Sequence, residues 1–355
     1  MPYRAIPSFR VLILAACLVQ LLHVNSLSAQ GLKQPPPKPA TAPKETPAVE
    51  KAPDYSQEAI VIEQLKLFYR FEKDGTGQRE LTVRVRVQTE AGLERFGQLV
   101  FGYSSANENL DVDFLRVRKP DGTVISAAPS DIQDLSAPIA REAPIYTDLR
   151  QKHLTVRGLR PGDLLEYHVV WHVHTPLAQN NFWLEQDLSN PQSLIMLDDQ
   201  LEVSIPSESK VKLKTAPGMA PTIKEQDGRR VYTWTYKNLK REEKDEKAEA
   251  AKKKPDDDEP KPPQIQMTTF QSWDEVGQWY AGLERDRIVP DEKVRAKTEE
   301  LVKGLTSDKD KIEALYQYVA RNFRYVSLSL GQGRYQPHAA ADVYANQYGD
   351  CKDKH

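Results

Sequence analysis

Leu81-Thr82-Val83-Arg84-Val85-Arg86-Val87 alternates apolar and polar side chains without a break. Successive side chains of a β-strand point to opposite faces, so this stretch offers Leu81, Val83, Val85 and Val87 to a core and Thr82, Arg84 and Arg86 to solvent. Similar patterns recur at Leu165–His174, Leu201–Ile205 and Val231–Tyr236. Between the strands stand Lys119-Pro120-Asp121-Gly122 and Arg160-Pro161-Gly162-Asp163, in which Pro presets one turn dihedral and Gly or Asp tolerates the next. Many short strands with such punctuation predict an antiparallel β-sandwich over residues 58–238.

The sequence changes character on both sides of that region. Residues 239–265 read as a charged linker: Lys240–Lys261 holds 8 basic and 9 acidic residues without apolar periodicity, which is a solvated segment and not a binding patch. Helical signals begin after it. Ser272-x-x-Glu275 is a capping box ahead of Val276, Trp279, Tyr280 and Leu283, and residues 291–304 and 308–322 are also predicted to be helical. On the last of these, Ile312, Leu315, Tyr316 and Val319 form an apolar stripe. Phe323–Leu330 reads as a short extended segment.

At the other end, Arg4 and Arg10 precede the apolar run Val11–Val24, and Ser26-Leu27-Ser28-Ala29 supplies the small residues of a signal-peptidase site, so residues 1–29 read as a signal peptide. The run of about 14 apolar residues is shorter than the roughly 20 that span a bilayer. A second reading takes Leu14-Ala15-Ala16-Cys17 as a lipobox that would make the protein a lipoprotein through Cys17, but the apolar run continues past that cysteine. Residues 30–57 are a Pro-rich tether, with seven Pro in 31–54 and almost no large apolar side chain to offset ordering entropy. A secreted or periplasmic location follows as the expectation.

The 355 residues leave room for about two domains. A net charge of −2 provides no cationic field, which disfavours wholesale nucleic-acid binding. Gly331-Gln332-Gly333 lacks the remainder of a phosphate loop, so no cofactor is expected. His168, His172 and His174 share one face of a strand; a His-x-His pair can chelate zinc, but no Cys or carboxylate close in sequence completes a site, and they are read as a solvated face. The chain holds two cysteines, Cys17 and Cys351, and signal removal would leave Cys351 alone in an oxidising compartment.

Cys351 lies in Gly349-Asp350-Cys351-Lys352-Asp353-Lys354, preceded by Tyr348 and by Gln336-Pro337-His338-Ala339-Ala340-Ala341-Asp342-Val343. A Gly shortly before a Cys that opens a helix would put the thiol where the helix dipole favours the thiolate. This segment resembles the nucleophile motif of bacterial transglutaminase-like proteins of the papain-like cysteine superfamily. Leu159-Arg160-Pro161-Gly162-Asp163-Leu164-Leu165-Glu166-Tyr167 likewise resembles the β-rich domain of unknown function that precedes the transglutaminase-like domain in secreted members. The resemblance implies a mainly β-sandwich domain followed, over 266–355, by the helical start of an α+β transglutaminase-like domain. It further implies Cys351 as catalytic nucleophile attacking an amide or ester carbonyl of a peptide or protein substrate, with a His base and an Asp or Asn orienter.

In that family the base and orienter lie downstream of the cysteine. Neither His355, four residues after Cys351, nor His338 matches the base, and Gln347 and Tyr348 receive no role. The expectation is therefore the leading portion of a longer cysteine enzyme, a fragment inactive by itself and poorly packed beyond about Asp291, with a short C-terminal helix unable to hold without packing partners. The alternative is a non-catalytic scaffold whose β-sandwich binds an envelope or cell-surface partner.

Overall fold

The computed structural model describes residues 54–144, 148–188, 194–240, 262–326 and 332–355. The expected signal peptide at 1–29, Cys17, most of the Pro-rich segment and the bulk of the charged segment lie outside the described residues. Strands β1 (Ile60–Phe71) and β2 (Gly77–Val87) lead to helix α1 (Glu90–Phe96). Then come β3 (Gln98–Ser104), β4 (Glu108–Arg118), β5 (Val124–Ser126), β6 (Ile132–Ser136), the one-turn α2 (Ile139–Glu142) and β7 (Leu149–Thr155). They are followed by β8 (Leu164–Val173), β9 (Trp183–Gln186), β10 (Ile195–Pro206), β11 (Lys212–Thr215), β12 (Thr222–Gln226), β13 (Arg229–Asn238) and β14 (Ile265–Thr268). The remainder comprises α3 (Trp273–Glu284), α4 (Glu292–Val302), α5 (Asp308–Asn322), β15 (Arg324–Tyr325), α6 (Ala340–Asn346), β16 (Tyr348–Gly349) and α7 (Cys351–Lys354).

Eight strands form one open sheet in the order β12-β13-β10-β1-β2-β8-β4-β5, antiparallel except for the parallel β1–β10 pair. The alternation that opens the sequence argument sets its register. Val83 stands opposite Leu65 and Tyr167, and Leu81 opposite Leu67 and Val169, so every partner of an apolar β2 residue is itself apolar. Residues paired across strands share a face, and the same face continues through Leu67–Leu201 and Leu201–Trp234 as far as β13.

Two three-stranded sheets cover that face. The sheet β3-β7-β6 contributes Leu99, Phe101, Tyr103 and Leu154 to the core built on Val83, Val85, Tyr167 and Trp171. The sheet β11-β14-β9 contributes Leu184, Ile265 and Met267 to a second core on Leu201, Val203 and Trp234. The result is a β-rich, sandwich-like arrangement of open sheets. The sequence reading placed the β part within 58–238 and the helical part from 266, whereas Ile265–Thr268 is a strand hydrogen-bonded on both sides, to β9 and to β11. A four-residue strand is too short to show a period against its charged neighbourhood.

Other local signals are realised as the residues dictate. Gly122 (φ +90°) and Gly162 (φ +94°) sit at the left-handed positions of their Pro-containing turns. Ser272 caps α3 by accepting the Glu275 N–H at 3.1 Å, but the Glu275 carboxylate reaches back to the Gln271 N–H and not to that of Ser272. No residue of α3, α4 or α5 is buried, and Ile312 and Tyr316 of the predicted stripe are each 68% exposed. Among the described residues no helix is long and apolar enough to cross a membrane.

One acid stands on the apolar side of the large sheet. Asp199 alternates in register with Leu201 and Val203 of β10, so it stands buried on the core face opposite Leu65. Burial, helped by the charge of Asp198, pushes its pKa from 3.8 up to about 7. A carboxyl that ionises more readily when unfolded contributes stability that is full below about pH 4 and is lost as pH rises to about 7. At about 1.36 kcal/mol per pKa unit the loss is at most about 4 kcal/mol. Asp199→Asn should abolish this decline and make the variant the more stable protein at pH 8. Urea midpoints at pH 5 and pH 8 check it, and parallel pH profiles for the two proteins would contradict it.

Candidate active site

The chain enters the cysteine motif through a reversal. Helix α6 ends at Gln347 in the left-handed region (φ 55°, ψ 37°), and the next two residues, β16, pair in parallel with β15. The Arg324 N–H donates to Gln347 O at 2.9 Å and the Val326 N–H to Gly349 O at 3.0 Å. Tyr348 is buried against Ala137, Ala143 and Leu149, with Ile139 and Val326 packed beside them. The motif is thereby fastened to the β part by an aromatic side chain whose position in sequence gives no hint of that burial.

A second fastening lies on α3. Trp183, Phe270, Trp279 and Tyr335 form a cluster with ring centroids 5.2–6.0 Å apart. Their polar edges are satisfied, since Trp183 Nε1 donates to Tyr335 Oη at 3.1 Å and Trp279 Nε1 to Leu177 O at 3.0 Å. Tyr280, next along α3, has its phenol pKa raised by burial first, then by its hydrogen bond to Glu284, with smaller contributions from the charges of Cys351 and Asp350.

The expectation that a helix begun at Cys351 would not hold is corrected by its packing partners. Asp350 caps α7, accepting from the N–H groups of Lys352 at 3.0 Å and Asp353 at 3.2 Å, and its carboxylate pairs with Lys352 Nζ. Asp353 returns the bond by accepting the Asp350 N–H at 3.1 Å. The fully buried Asp353 carboxylate also accepts the His338 N–H at 2.8 Å, and both of its oxygens lie 3.1 Å from His338 Nδ1. Burial pushes the Asp353 pKa up, but hydrogen bonds from His338 and Asp350 together with the imidazole charge outweigh it and hold the carboxyl below its ordinary range. Gly349 is required here, because a Cβ on it would stand 2.5 Å from that of Asp353.

Cys351, the expected nucleophile, is the first residue of this capped turn, exposed and not in a disulfide. Two backbone N–H groups at the head of this turn are taken by the Asp350 side chain. His338, which sequence left without a role, is brought to the motif as the partner of Asp353. His355 lies exposed at the end of α7, and Gln347 is exposed at the end of α6.

The three histidines of the β part lie on the face opposite buried Tyr167, Val169 and Trp171, with His172 and His174 exposed and His168 half-buried. Carboxylates do stand beside two of them, supplied by neighbouring strands that sequence proximity could not reveal. His168 lies 2.9 Å from Asp113 and 3.2 Å from Glu80, and His172 lies 3.4 Å from Asp111. Among the described residues no three His, Cys, Asp or Glu side chains converge as a metal site would need.

Residues 73–243 match the family DUF3857, described as a domain of unknown function with a solved structure. No curated protein matches the sequence. A crystal structure described as that of "a putative protease" from Parabacteroides distasonis superposes on 83% of this chain with a TM-score of 0.66 and 14% identity. The superposition covers 57% of that protein, so this chain spans little more than half of its length, and at such identity the likeness concerns the fold alone. An M1 zinc metallopeptidase from Deinococcus radiodurans matches 60% of this chain and 42% of its own at a TM-score of 0.30 and 10% identity, too remote to bear on fold or chemistry.

Removing the hub of the motif should loosen it locally. Asp353→Ala deletes the acceptor of the Asp350 and His338 N–H groups, and a lost cap of this kind costs about 1 kcal/mol. Hydrogen exchange at the amides of Asp350 and His338 should accelerate about fivefold, with exchange in β2 and β8 unchanged. Unaltered exchange at both amides would show that Asp353 does not hold the turn.

Proposed function

We propose that this chain is the N-terminal part of a secreted or periplasmic transglutaminase-like cysteine enzyme, in which Cys351 attacks the carbonyl carbon of a peptide amide or ester. The thiolate forms an acyl-thioester, the amine or alcohol leaves, and water or a second amine then releases the acyl group and restores the thiol. The observation that carries this reading is the placement of Cys351. Its motif is locked by the Asp350–Asp353 capping box and by His338, while Cys351 itself stays exposed at the head of the turn.

In this reading each neighbour has a positioning task. Asp350 and Asp353 shape the turn, Tyr348 fixes it to the β part, and the Lys352 ammonium offsets the Asp350 charge beside the thiol. His338 is a positioning residue through Asp353, and the general base is a histidine supplied from outside the described residues. The DUF3857-like β part would present or recruit the peptide or protein substrate. Its likeness in fold to a protein described as a protease is in keeping with this, and a net charge of −2 leaves nucleic acid an unsuitable partner.

The test uses the complete product of the reading frame, purified from the secreted fraction. Hydrolysis or aminolysis of a fluorogenic peptide-amide library should fall at least about 1,000-fold in Cys351→Ala and in Cys351→Ser, and a peptide vinyl sulfone should label wild type at Cys351 only. Activity that survives Cys351→Ala would remove the cysteine mechanism and leave the β part acting as a scaffold.

A further inference from the structure

A groove of about 430 Å³ opens between α1 and β3, away from the cysteine motif. One wall is the Ala91, Glu94 and Arg95 face of α1, the other is Gln98–Phe101 of β3, and Tyr167 of β8 closes the floor. Four consecutive residues of a strand can line one groove only along the edge of the strand, since their side chains alternate between faces. β3 is an edge strand, for its sheet runs β3-β7-β6 and it pairs with β7 alone. Its outer row of main-chain N–H and C=O groups therefore faces the groove, a template on which another strand can pair.

The charges of the groove specify what would pair there. Arg95 is half-buried, its Nε is buried without a hydrogen-bond partner, and among the described residues it forms no ion pair. Its guanidinium carbon lies 5.9 Å from the ring centroid of Phe96. Glu94 stands exposed at the rim and does not neutralise it. A buried Nε–H without an acceptor is unsatisfied, and a ligand anion would supply that acceptor. Tyr167 is 2% exposed, and no hydrogen bond to a described residue engages its hydroxyl. The site thus combines a strand edge, an apolar floor and an unpaired cation within a volume typical of ligand sites.

We infer that this groove binds an extended peptide as an added strand along β3, with a carboxylate of the peptide seated on Arg95. Main-chain hydrogen bonds to the β3 edge would supply affinity largely independent of sequence, and alternate peptide side chains would enter toward Leu99, Phe101 and Tyr167. The carboxylate belongs either to the C-terminus of the peptide or to an Asp or Glu side chain, and both present the same chemistry to Arg95. The site does not depend on the cysteine reading, because none of its residues belongs to the motif around Cys351.

The experiment measures binding of fluorescein-labelled pentapeptides, with Val, Ile or Phe randomised at alternate positions, to the purified chain by polarisation. Three sets are compared: free C-terminal acids, C-terminal amides, and amides carrying one internal Asp. Acid-bearing peptides, in one set or both, should bind about tenfold more tightly than the neutral amides, and Arg95→Ala should erase that preference while Arg95→Lys keeps part of it. Preference for free acids alone assigns the carboxylate to the C-terminus, and preference for the Asp set assigns it to a side chain. N-methylation of alternate peptide amides should abolish binding without any change to the protein, and backbone shifts in Gln98–Phe101 should follow binding in the NMR spectrum. Equal binding of acids and amides, binding insensitive to N-methylation, or no binding by any set would each overturn the inference.

Discussion

The structure depends on one constraint, that the eight-stranded sheet buries a single face. Leu81, Val83, Val85 and Val87 fix which face that is, and cross-strand pairing transmits the choice to β1, β8, β4, β10 and β13. A one-residue slip of β2 would turn Thr82, Arg84 and Arg86 into the core and expose four apolar side chains, so the register has no neighbouring minimum. The two small sheets are consequences of it, each covering part of an apolar surface too broad for one. The opposite face is free to carry charge, and there Glu166, almost fully buried, is enclosed by Arg84, Arg116 and Arg118 at 2.9–3.4 Å.

The cysteine motif inherits its position from this scaffold at two places. Tyr348 seats beside Ala137, Ala143 and Leu149, and the cluster of Trp183, Phe270, Trp279 and Tyr335 holds α3. Between these fastenings the turn containing Cys351 is held by short-range hydrogen bonds centred on Asp353. A helix of four residues has almost no intrinsic stability, so its formation here is the work of the cap and of His338. The exposed apolar side chains of α5 contrast with this, since none of its residues reaches a core.

How far the sequence could be read follows the range of the interactions concerned. The long strands, the Pro-Gly turns, the caps at Ser272 and Asp350 and the helices over 292–322 arise from residues within a few positions of one another. The strand Ile265–Thr268, the carboxylates beside His168 and His172, and the pairing of His338 with Asp353 join residues 15 to 88 positions apart. No periodicity or motif spacing encodes such meetings, because the intervening chain sets them only when it folds.

By itself, then, the sequence determined the β-rich class and the face of β2 that is buried, because alternation and turn chemistry are local properties. Tertiary structure decided the rest. It laid two small sheets over one large face, left the edge of β3 and the Arg95 guanidinium open along a groove, and brought His338 to Asp353. Each of these outcomes required side chains distant in sequence to compete for the same space or the same hydrogen bond, and that competition is settled only in three dimensions.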